Sequence, residues 1–384
     1  MRIISAKEFL RQRASTPSAE TRPEVRSTVE RIVSTVRKGG DGALKELTFT
    51  LDGVRVENFR VPRPEWERAW KRTPSNVRNA LEALAKRIRS YQAKLRPKGI
   101  VKIDTAPGVT VTTEWRPLPA VACYAPGGRA AYPSTVLMMA ITARAAGVKD
   151  VYVASPPQRD GKPHALVLAA AHLADVTAVF SLGGAQAVAA FAYGTDSVPR
   201  APKIVGPGNA YVTEAKRQLF GTIGIDAIAG PTELAIYADG SVDPAWIATD
   251  LGAQAEHDPD ARCLLVVPDA ELARKVEAAA KELAAASPRS AILNRSLLEQ
   301  SVVVLAADDD EAVRVLDAYA PEHVELLCKK PERIAKRLTS AGTVFLGPYA
   351  PASLGDYATG ANHVLPTGQS ARWASPLSVY DFMR

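Results

Sequence analysis

Two series of short apolar segments run along the chain, and helical patterns separate the segments of each series. The first series predicts strands at AVACY, DVYVAS, TAVFSL and KIVG, and the second at ELAIYA, CLLVVP, SVVVLAA, HVELLC and TVFLG. Helices are predicted from about Ser134, Ala165, Ala185 and Asn209. Alternation of this kind is typical of parallel sheets covered on both faces. The pattern therefore predicts an α/β protein with two doubly wound, Rossmann-like parallel-sheet units.

Helices are also predicted before the first series of strands. Apolar residues recur at helical spacing over residues 23–38, with Thr21 as an N-cap and Gly39-Gly40 as the end of the helix. A second amphipathic helix is predicted over residues 75–95. The later segment VTVTTEW alternates with a period of two, which indicates a strand.

The two series also predict the domain organisation, because 384 residues suffice for two domains with separate cores. Residues 1–20 are expected to form an N-terminal helical arm. Together with the family resemblance that the motifs below carry, the two series imply that residues 21–124 and 232–384 form the two parts of a discontinuous catalytic domain, with residues 125–231 inserted as a nucleotide-binding α/β domain. Because such sheets bind ligands at the carboxyl ends of their strands, the functional residues are expected in the loops that follow strands.

The distribution of charge and of cysteines limits the kinds of binding partner and the cellular compartment that we expect for this protein. The net charge of +7 arises from 48 basic and 41 acidic residues that are intermixed, without a run of five basic residues, so no nucleic-acid partner is expected. Arg144 interrupts the most apolar stretch, and the N-terminus has no secretory-signal pattern, so no membrane association is expected. Cys123, Cys263 and Cys328 lie in or beside apolar runs, as buried free thiols do. A cytoplasmic protein follows.

Gln254 and His257 are candidates for a metal site. His257 lies near the end of the helix predicted from about Asp243, and Gln254 precedes it by three residues, so both side chains can share one helical face. The spacing is compatible with half of a metal site and equally with a helix-terminal histidine on a polar face. His164 and His172 flank an alanine-rich helix, and a structural role is expected for both.

Two further histidines lie in polar sequence. His323 follows Glu322 at the start of an apolar strand, where the pair is compatible with a catalytic acid and base or with a charged loop entering a strand. His363 lies with Asp356 in GDYATGANHVLP, a segment rich in glycine and small polar residues. Such a segment is more typical of a binding loop than of a linker.

The motifs taken together resemble one family. The chain contains VACYAPGG, STVLMMAITARAAGV, LGGAQAVAAFAYGT, KIVGPGNAYVTEAKRQL, GIDAIAGPTEL, AQAEHDPDA, APEHVEL, SAGTVFLGPYAPASLGDYATGANHVLPT and SPLSVYDF. In this order, from about residue 21 to the end, they resemble the histidinol dehydrogenases. A single glycine-rich loop after a strand is weak evidence for nucleotide binding, whereas the ordered set is highly specific.

The resemblance implies NAD and Zn²⁺ as cofactors and assigns residues to each. The nucleotide contacts would be Tyr124, Gln186 and Asn209. The zinc ligands would be Gln254, His257 and Asp356. The substrate contacts would be Thr232, where the family usually has Ser, together with Gln254, His257, His323, Asp356 and His363. The catalytic residues would be Glu322 and His323.

The resemblance also implies the reaction, which is oxidation of L-histidinol through the aldehyde to L-histidine with two NAD. His323 would take the alcohol proton, and Glu322 would activate the water that adds to the aldehyde. A homodimer acting on a small amino alcohol is expected. The C-terminal segment that supplies a fourth zinc ligand to the partner subunit in this family is expected to be absent, which would weaken zinc binding. A shortened paralogue that oxidises another small alcohol with weak zinc dependence, and an inactive nucleotide-binding homologue, stay open as alternatives.

Overall fold

A computed structural model describes residues 1–14, 22–127 and 131–384. Every strand of the two predicted series is present. The strands in chain order are β1 Arg2–Ser5, β2 Arg60–Val61, β3 Ile100–Ala106, β4 Val109–Glu114, β5 Ala120–Tyr124, β6 Asp150–Ser155, β7 Ala178–Ser181, β8 Lys203–Val205, β9 Gly224–Ile225, β10 Glu233–Ala238, β11 Arg262–Val267, β12 Val302–Leu305, β13 His323–Leu327 and β14 Thr343–Leu346.

The helices in chain order are α1 Ala6–Ala14, α2 Pro23–Asp52, α3 Arg63–Arg72, α4 Ser75–Leu95, α5 Pro133–Ala146, α6 Ala165–Leu173, α7 Gly184–Tyr193, α8 Ala210–Leu219, α9 Pro244–Ala255, α10 Ala270–Ala286, α11 Ser290–Arg295, α12 Asp309–Tyr319, α13 Pro331–Ala335 and α14 Ala352–Tyr357. A π-helical turn follows α11 at Ser296–Gln300, and short 3₁₀ turns lie at Ser370–Arg372 and Val379–Phe382. The predicted α/β class is confirmed.

The chain forms two compact units. Unit 1 contains the described residues of 1–14, 229–356 and 365–376. Its parallel sheet has the strand order β1-β12-β11-β10-β13-β14. Successive residues of β10 face opposite apolar cores, one built with α9, α10 and α11 and the other with α1, α12 and α13. Because both faces are covered, β10 is buried along its whole length.

Unit 2 contains the described residues of 22–228, 357–364 and 377–384. Its main sheet has the order β2-β7-β6-β5-β8-β9, in which only the pairing of β2 with β7 is antiparallel among the described strands. Helices α3 to α6 cover one face, and α2, α7 and α8 cover the other. Strands β3 and β4 form a separate antiparallel hairpin that is exposed on both faces.

The boundaries of the compact units differ from those of the expected domains. The expected domains grouped residues 21–124 with residues 232–384. Strand β5 pairs with β6 and β8, and α4 packs against α5, so residues 22–124 cluster with the series of strands that follows them. The division of the chain into a catalytic domain and an inserted nucleotide-binding domain stays a prediction.

Two local features differ from the predicted elements. The N-terminal arm begins with a strand, β1, that pairs in parallel with β12, and only then continues as the expected helix α1. Helix α2 continues past Gly40, where the backbone leaves helical geometry at φ 50°, and reaches Asp52. The predicted N-cap Thr21 lies outside the described residues. Among the described residues, no helix combines the length and apolar character needed to cross a membrane.

Candidate functional site

In unit 2, the residues predicted to contact a nucleotide follow three strands of the sheet. Tyr124 ends β5, and its hydroxyl accepts a hydrogen bond from the backbone N–H of Gly184, which follows β7 (3.1 Å). Gln186 lies in the first turn of α7 and is 1% exposed. Asn209 follows β8 and caps α8, since its Oδ1 accepts from the backbone N–H groups of Tyr211 (3.0 Å) and Val212 (3.1 Å). The three residues therefore lie at the carboxyl edge of this sheet.

A buried ion pair, which no motif of the sequence indicated, holds the loop after β8. Gly206 adopts φ +117°, and a Cβ there would lie 2.2 Å from the carbonyl oxygen of Tyr124, so only glycine fits. The backbone N–H of Gly206 donates to Asp226 Oδ2 (2.7 Å), and Lys216 Nζ contacts Asp226 Oδ1 at 2.5 Å and Gly206 O at 2.6 Å. These contacts fix the backbone immediately before Asn209.

In unit 1, the polar cluster lies at the opposite edge of the sheet. Thr232 directly precedes β10 and Glu322 directly precedes β13. These strands are parallel neighbours in which Leu234 pairs with His323, so both residues lie at the amino edge. These two candidate residues thus precede their strands, whereas functional residues were expected in the loops that follow strands. The crossover helix α9 returns the chain to this edge and brings Gln254, in its last turn, to Thr232.

A hydrogen-bond network fixes the Glu322 carboxylate. Its Oε2 accepts from Thr232 Oγ1 (2.6 Å) and from the backbone N–H of Glu233 (3.0 Å). Gln254 Nε2 donates to the same Thr232 hydroxyl (2.7 Å). The threonine hydroxyl therefore accepts from the amide and donates to the carboxylate, which orients both buried side chains.

The His323 imidazole lies between two carboxylates. Its Nδ1 is 3.2 Å from the backbone carbonyl oxygen of Glu233 and 3.6 Å from Glu322 Oε2. Its Nε2 is 3.6 Å from Asp356 Oδ1, and this buried nitrogen has no hydrogen-bond partner among the described residues. The ring stacks on Phe345 at 6.0 Å between centroids. Because a carbonyl can only accept, Nδ1 carries a proton and Nε2 is the nitrogen that titrates.

Burial shifts the titration of this cluster. Burial raises the pKa of Glu322, and the positive charge of His323 opposes this shift. Burial lowers the pKa of His323, but the carboxylates of Glu322 and Asp356 outweigh it and raise that pKa to about 9. Burial and the charge of Glu322 raise the pKa of Glu233 to about 7. Perturbed titratable groups that lie in direct contact are typical of catalytic sites.

Comparison with known proteins shows the family of this chain. The sequence model described as histidinol dehydrogenase matches residues 15–384. The histidinol dehydrogenase of Parasynechococcus marenigrum is 45% identical over 361 residues, which cover 94% of this chain and 82% of that protein. The chain belongs to the histidinol dehydrogenase family. The corresponding protein of Methylococcus capsulatus is 44% identical over 369 residues, covering 94% of this chain and 83% of the relative.

The fold is that of the histidinol dehydrogenase family as well. The crystal structure of histidinol dehydrogenase from Elizabethkingia anophelis superposes with a TM-score of 0.93 at 31% identity, and the match covers 100% of this chain and 89% of that chain. The chain is thus a member of a family of oxidoreductases.

Two predicted site residues are not part of the unit 1 cluster. Helix α9 ends at Ala255, so His257 lies in the following turn and is exposed, whereas Gln254 is 6% exposed. The prediction that the two share one helical face is therefore wrong. His363 belongs to unit 2, where its Nε2 lies 3.1 Å from Thr135 Oγ1.

Other buried acids in unit 1 were not found from the sequence. Glu325 lies in the middle of β13, and its Oε1 accepts from the backbone N–H of Ala352 (2.5 Å). Burial and the neighbouring Asp250 raise its pKa. The available signal was a glutamate inside the otherwise apolar run HVELL.

Within residues 1–14, 22–127 and 131–384, no group of three or more His, Cys, Asp and Glu side chains is arranged to hold a metal ion.

Proposed function

We propose that the protein oxidises L-histidinol through the aldehyde to L-histidine, with two NAD as hydride acceptors. The observation that carries the proposal is the buried pair of Glu322 and His323, which Thr232 and the backbone of Glu233 hold in fixed orientations. Each half-reaction needs a base, because hydride leaves readily only from an alkoxide or an ionised hydrate. Membership of the histidinol dehydrogenase family supports the substrate.

The first half-reaction uses the neutral form of His323, which is the minor form at neutral pH because its pKa is raised to about 9. In this form Nε2 takes the hydroxyl proton while the carbinol carbon gives a hydride to NAD. The backbone carbonyl of Glu233 keeps the other proton on Nδ1 and so fixes the reactive tautomer. The nearby carboxylates of Glu322 and Asp356 stabilise the imidazolium that forms. The products of this step are the aldehyde, NADH and one proton.

In the second half-reaction, Glu322 removes a proton from the water that adds to the aldehyde. Burial raises the pKa of its carboxyl group, which makes it a stronger base than an exposed glutamate. The ionised hydrate then gives a hydride to the second NAD, and the carboxylate of histidine forms. No thiol takes part, in keeping with the burial of all three cysteines.

We assign nucleotide binding to Tyr124, Gln186 and Asn209. Their position at the carboxyl edge of a doubly wound sheet supports this assignment, since that edge is where such folds bind nucleotides. Substrate contacts are assigned to Thr232, Gln254, His257, His323, Asp356 and His363 on the family pattern.

Zinc is assigned to Gln254, His257 and Asp356, and these residues fit it in kind. The Nε2 of Gln254 donates to Thr232, so Oε1 is the atom of Gln254 that would bind zinc. An amide oxygen, an imidazole and a carboxylate are all accepted by zinc, although His257 lies outside the buried cluster. When bound, zinc would anchor the imidazole and amine of the substrate as a template.

A homodimer in the cytoplasm is proposed as the working form. The hairpin β3–β4 exposes apolar side chains that a partner would cover, at Ile100, Val101, Ile103, Val109 and Val111. Free cysteines support a reducing compartment. Light scattering on the purified protein tests the dimer.

The assay is NADH formation from L-histidinol with zinc supplied. We expect two NADH for each histidinol consumed, and the amino acid as the product. An alcohol of similar size without an imidazole is the control substrate and should react poorly. Absence of NADH formation from histidinol, or release of the aldehyde as the end product, would contradict the proposal.

A further inference from the structure

Asp52 occupies an unfavourable position for a carboxylate. It is the last residue of α2, where the negative end of the helix dipole repels its charge, and it is partly buried. Within the described parts of the chain, Asp52 forms no ion pair. Burial accordingly raises its pKa to about 6. A charge kept in this place without a cation is costly to folding, which indicates a role in binding.

Gln186 supplies a second acceptor beside Asp52. Its Nε2 donates to Asp52 Oδ2 at 3.4 Å, whereas its Oε1 is buried and has no hydrogen-bond partner among the described residues. A Cβ on Gly184 would lie 2.4 Å from that Oε1, so a glycine is needed where the amide is held. The hydroxyl of Tyr124 accepts from Gly184 N–H. In this corner of unit 2, Gln186 Oε1 lacks a donor among the described residues, and the Asp52 carboxylate has the long bond from Gln186 Nε2.

We propose that Asp52 and Gln186 Oε1 accept the two hydroxyls of the adenosine ribose, so that Asp52 selects NAD over its 2′-phosphorylated form. A vicinal diol carries two donors on neighbouring atoms, which matches two acceptors on neighbouring side chains. A 2′-phosphate replaces one donor with acceptor oxygens and adds negative charge beside a carboxylate. The inference rests on the proposed nucleotide site and extends it to an unassigned residue.

The test is the affinity of the full chain for NAD and for NADP, measured by direct titration, in the wild type and in Asp52→Asn. We expect the wild type to prefer NAD by at least about a hundredfold. Loss of a charge-assisted hydrogen bond should weaken NAD binding about tenfold, and loss of repulsion should strengthen NADP binding about tenfold. Glu46→Gln removes the same charge from an exposed position of α2 and should leave both affinities unchanged.

Two fragments of NAD, ADP-ribose and nicotinamide mononucleotide, show which half of the dinucleotide Asp52 contacts. Asp52→Asn should weaken binding of ADP-ribose and leave nicotinamide mononucleotide unaffected, and the opposite result would overturn the adenosine assignment. A wild type that binds neither dinucleotide contradicts the proposed function itself. A wild type that binds NAD, with an NAD-to-NADP ratio that Asp52→Asn leaves unchanged, overturns only the role of Asp52. The melting temperature of Asp52→Asn, expected at or above that of the wild type, excludes misfolding as the cause.

Discussion

Unit 1 and unit 2 are similar doubly covered sheets that carry their polar residues at opposite edges. In unit 2, glycine loops and helix N-termini at the carboxyl edge present backbone N–H groups and the cap Asn209. In unit 1, the amino edge of β10 and β13 holds Thr232, Glu322 and His323. Donors suit phosphates, and carboxylates with imidazole suit proton transfer. Sheet topology therefore predicts the edge that we propose for nucleotide binding but not the edge that we propose for acid–base chemistry.

The substitution Glu322→Gln should distinguish the roles of the two units with the largest effect. The amide oxygen can still accept from Thr232 and from the backbone, but it cannot take a proton. We expect oxidation of the aldehyde to slow by roughly 10²–10⁴ and oxidation of the alcohol to slow far less. Single-turnover assays that start from each substrate measure both steps. Equal losses, or a fall in NAD affinity, would contradict the division of roles.

Thr232→Val removes the hydroxyl that joins Gln254 to Glu322. The variant leaves buried polar groups without partners, which should cost about 1–3 kcal/mol in free energy of unfolding and lower turnover. Thr232→Ser keeps the hydroxyl and is the matched control. Chemical denaturation and turnover are compared in the three proteins. If valine and serine behaved alike, the hydroxyl would have no orienting role.

Asn209→Ala tests the carboxyl edge of unit 2. Loss of the N-cap of α8 should lower the free energy of unfolding by about 1 kcal/mol. Nucleotide affinity should fall while turnover at saturating NAD changes little. Asn209→Ser retains a capping oxygen, so it should restore stability without restoring the full affinity. Unchanged affinity with reduced turnover in Asn209→Ala would show that the residue does not bind the nucleotide.

A smaller effect is expected in the pH dependence of stability. The pKa of Asp52 is raised from its ordinary 3.8 to about 6, so the protonated form favours the folded state and this contribution is lost as pH rises through that range. Asp52→Asn should match the wild type below about pH 4 and exceed it by about 1 kcal/mol above pH 6, after allowance for partial exposure. Denaturation midpoints at several pH values measure this, and a gap that narrows with pH would contradict the sign.

The smallest effect concerns metal removal. The cores of unit 1 are apolar on both faces of its sheet, and the residues assigned to zinc lie outside them. Treatment with a chelator should therefore remove zinc with a change in melting temperature below about 2 °C, since the folded state does not depend on the ion. Cooperative unfolding on chelation would show that the metal is structural.

Much of the fold followed from local sequence. The strands of both series were predictable because parallel strands covered on two faces need continuous apolar runs such as ELAIYA and CLLVVP. The strand β1 was not, because RIIS is short and gains its partner, β12, only in the folded chain. The end of α9 before His257 was likewise missed, since the periodicity of residues does not fix where a helix stops.

The composition of the candidate site was predictable from the sequence, and its arrangement was not. The ordered motifs pointed to Glu322, His323, Gln254 and Asp356 before any contact was known. Only the folded structure brought Thr232 to Glu322 and placed this group at the amino edge, because that depends on which strands become neighbours. The buried Lys216–Asp226 pair and the partly buried carboxylate of Asp52 beside Gln186 also depend on long-range packing. The amino-acid sequence determined which residues are present, and the packing of distant strands and helices decided which of them are in contact.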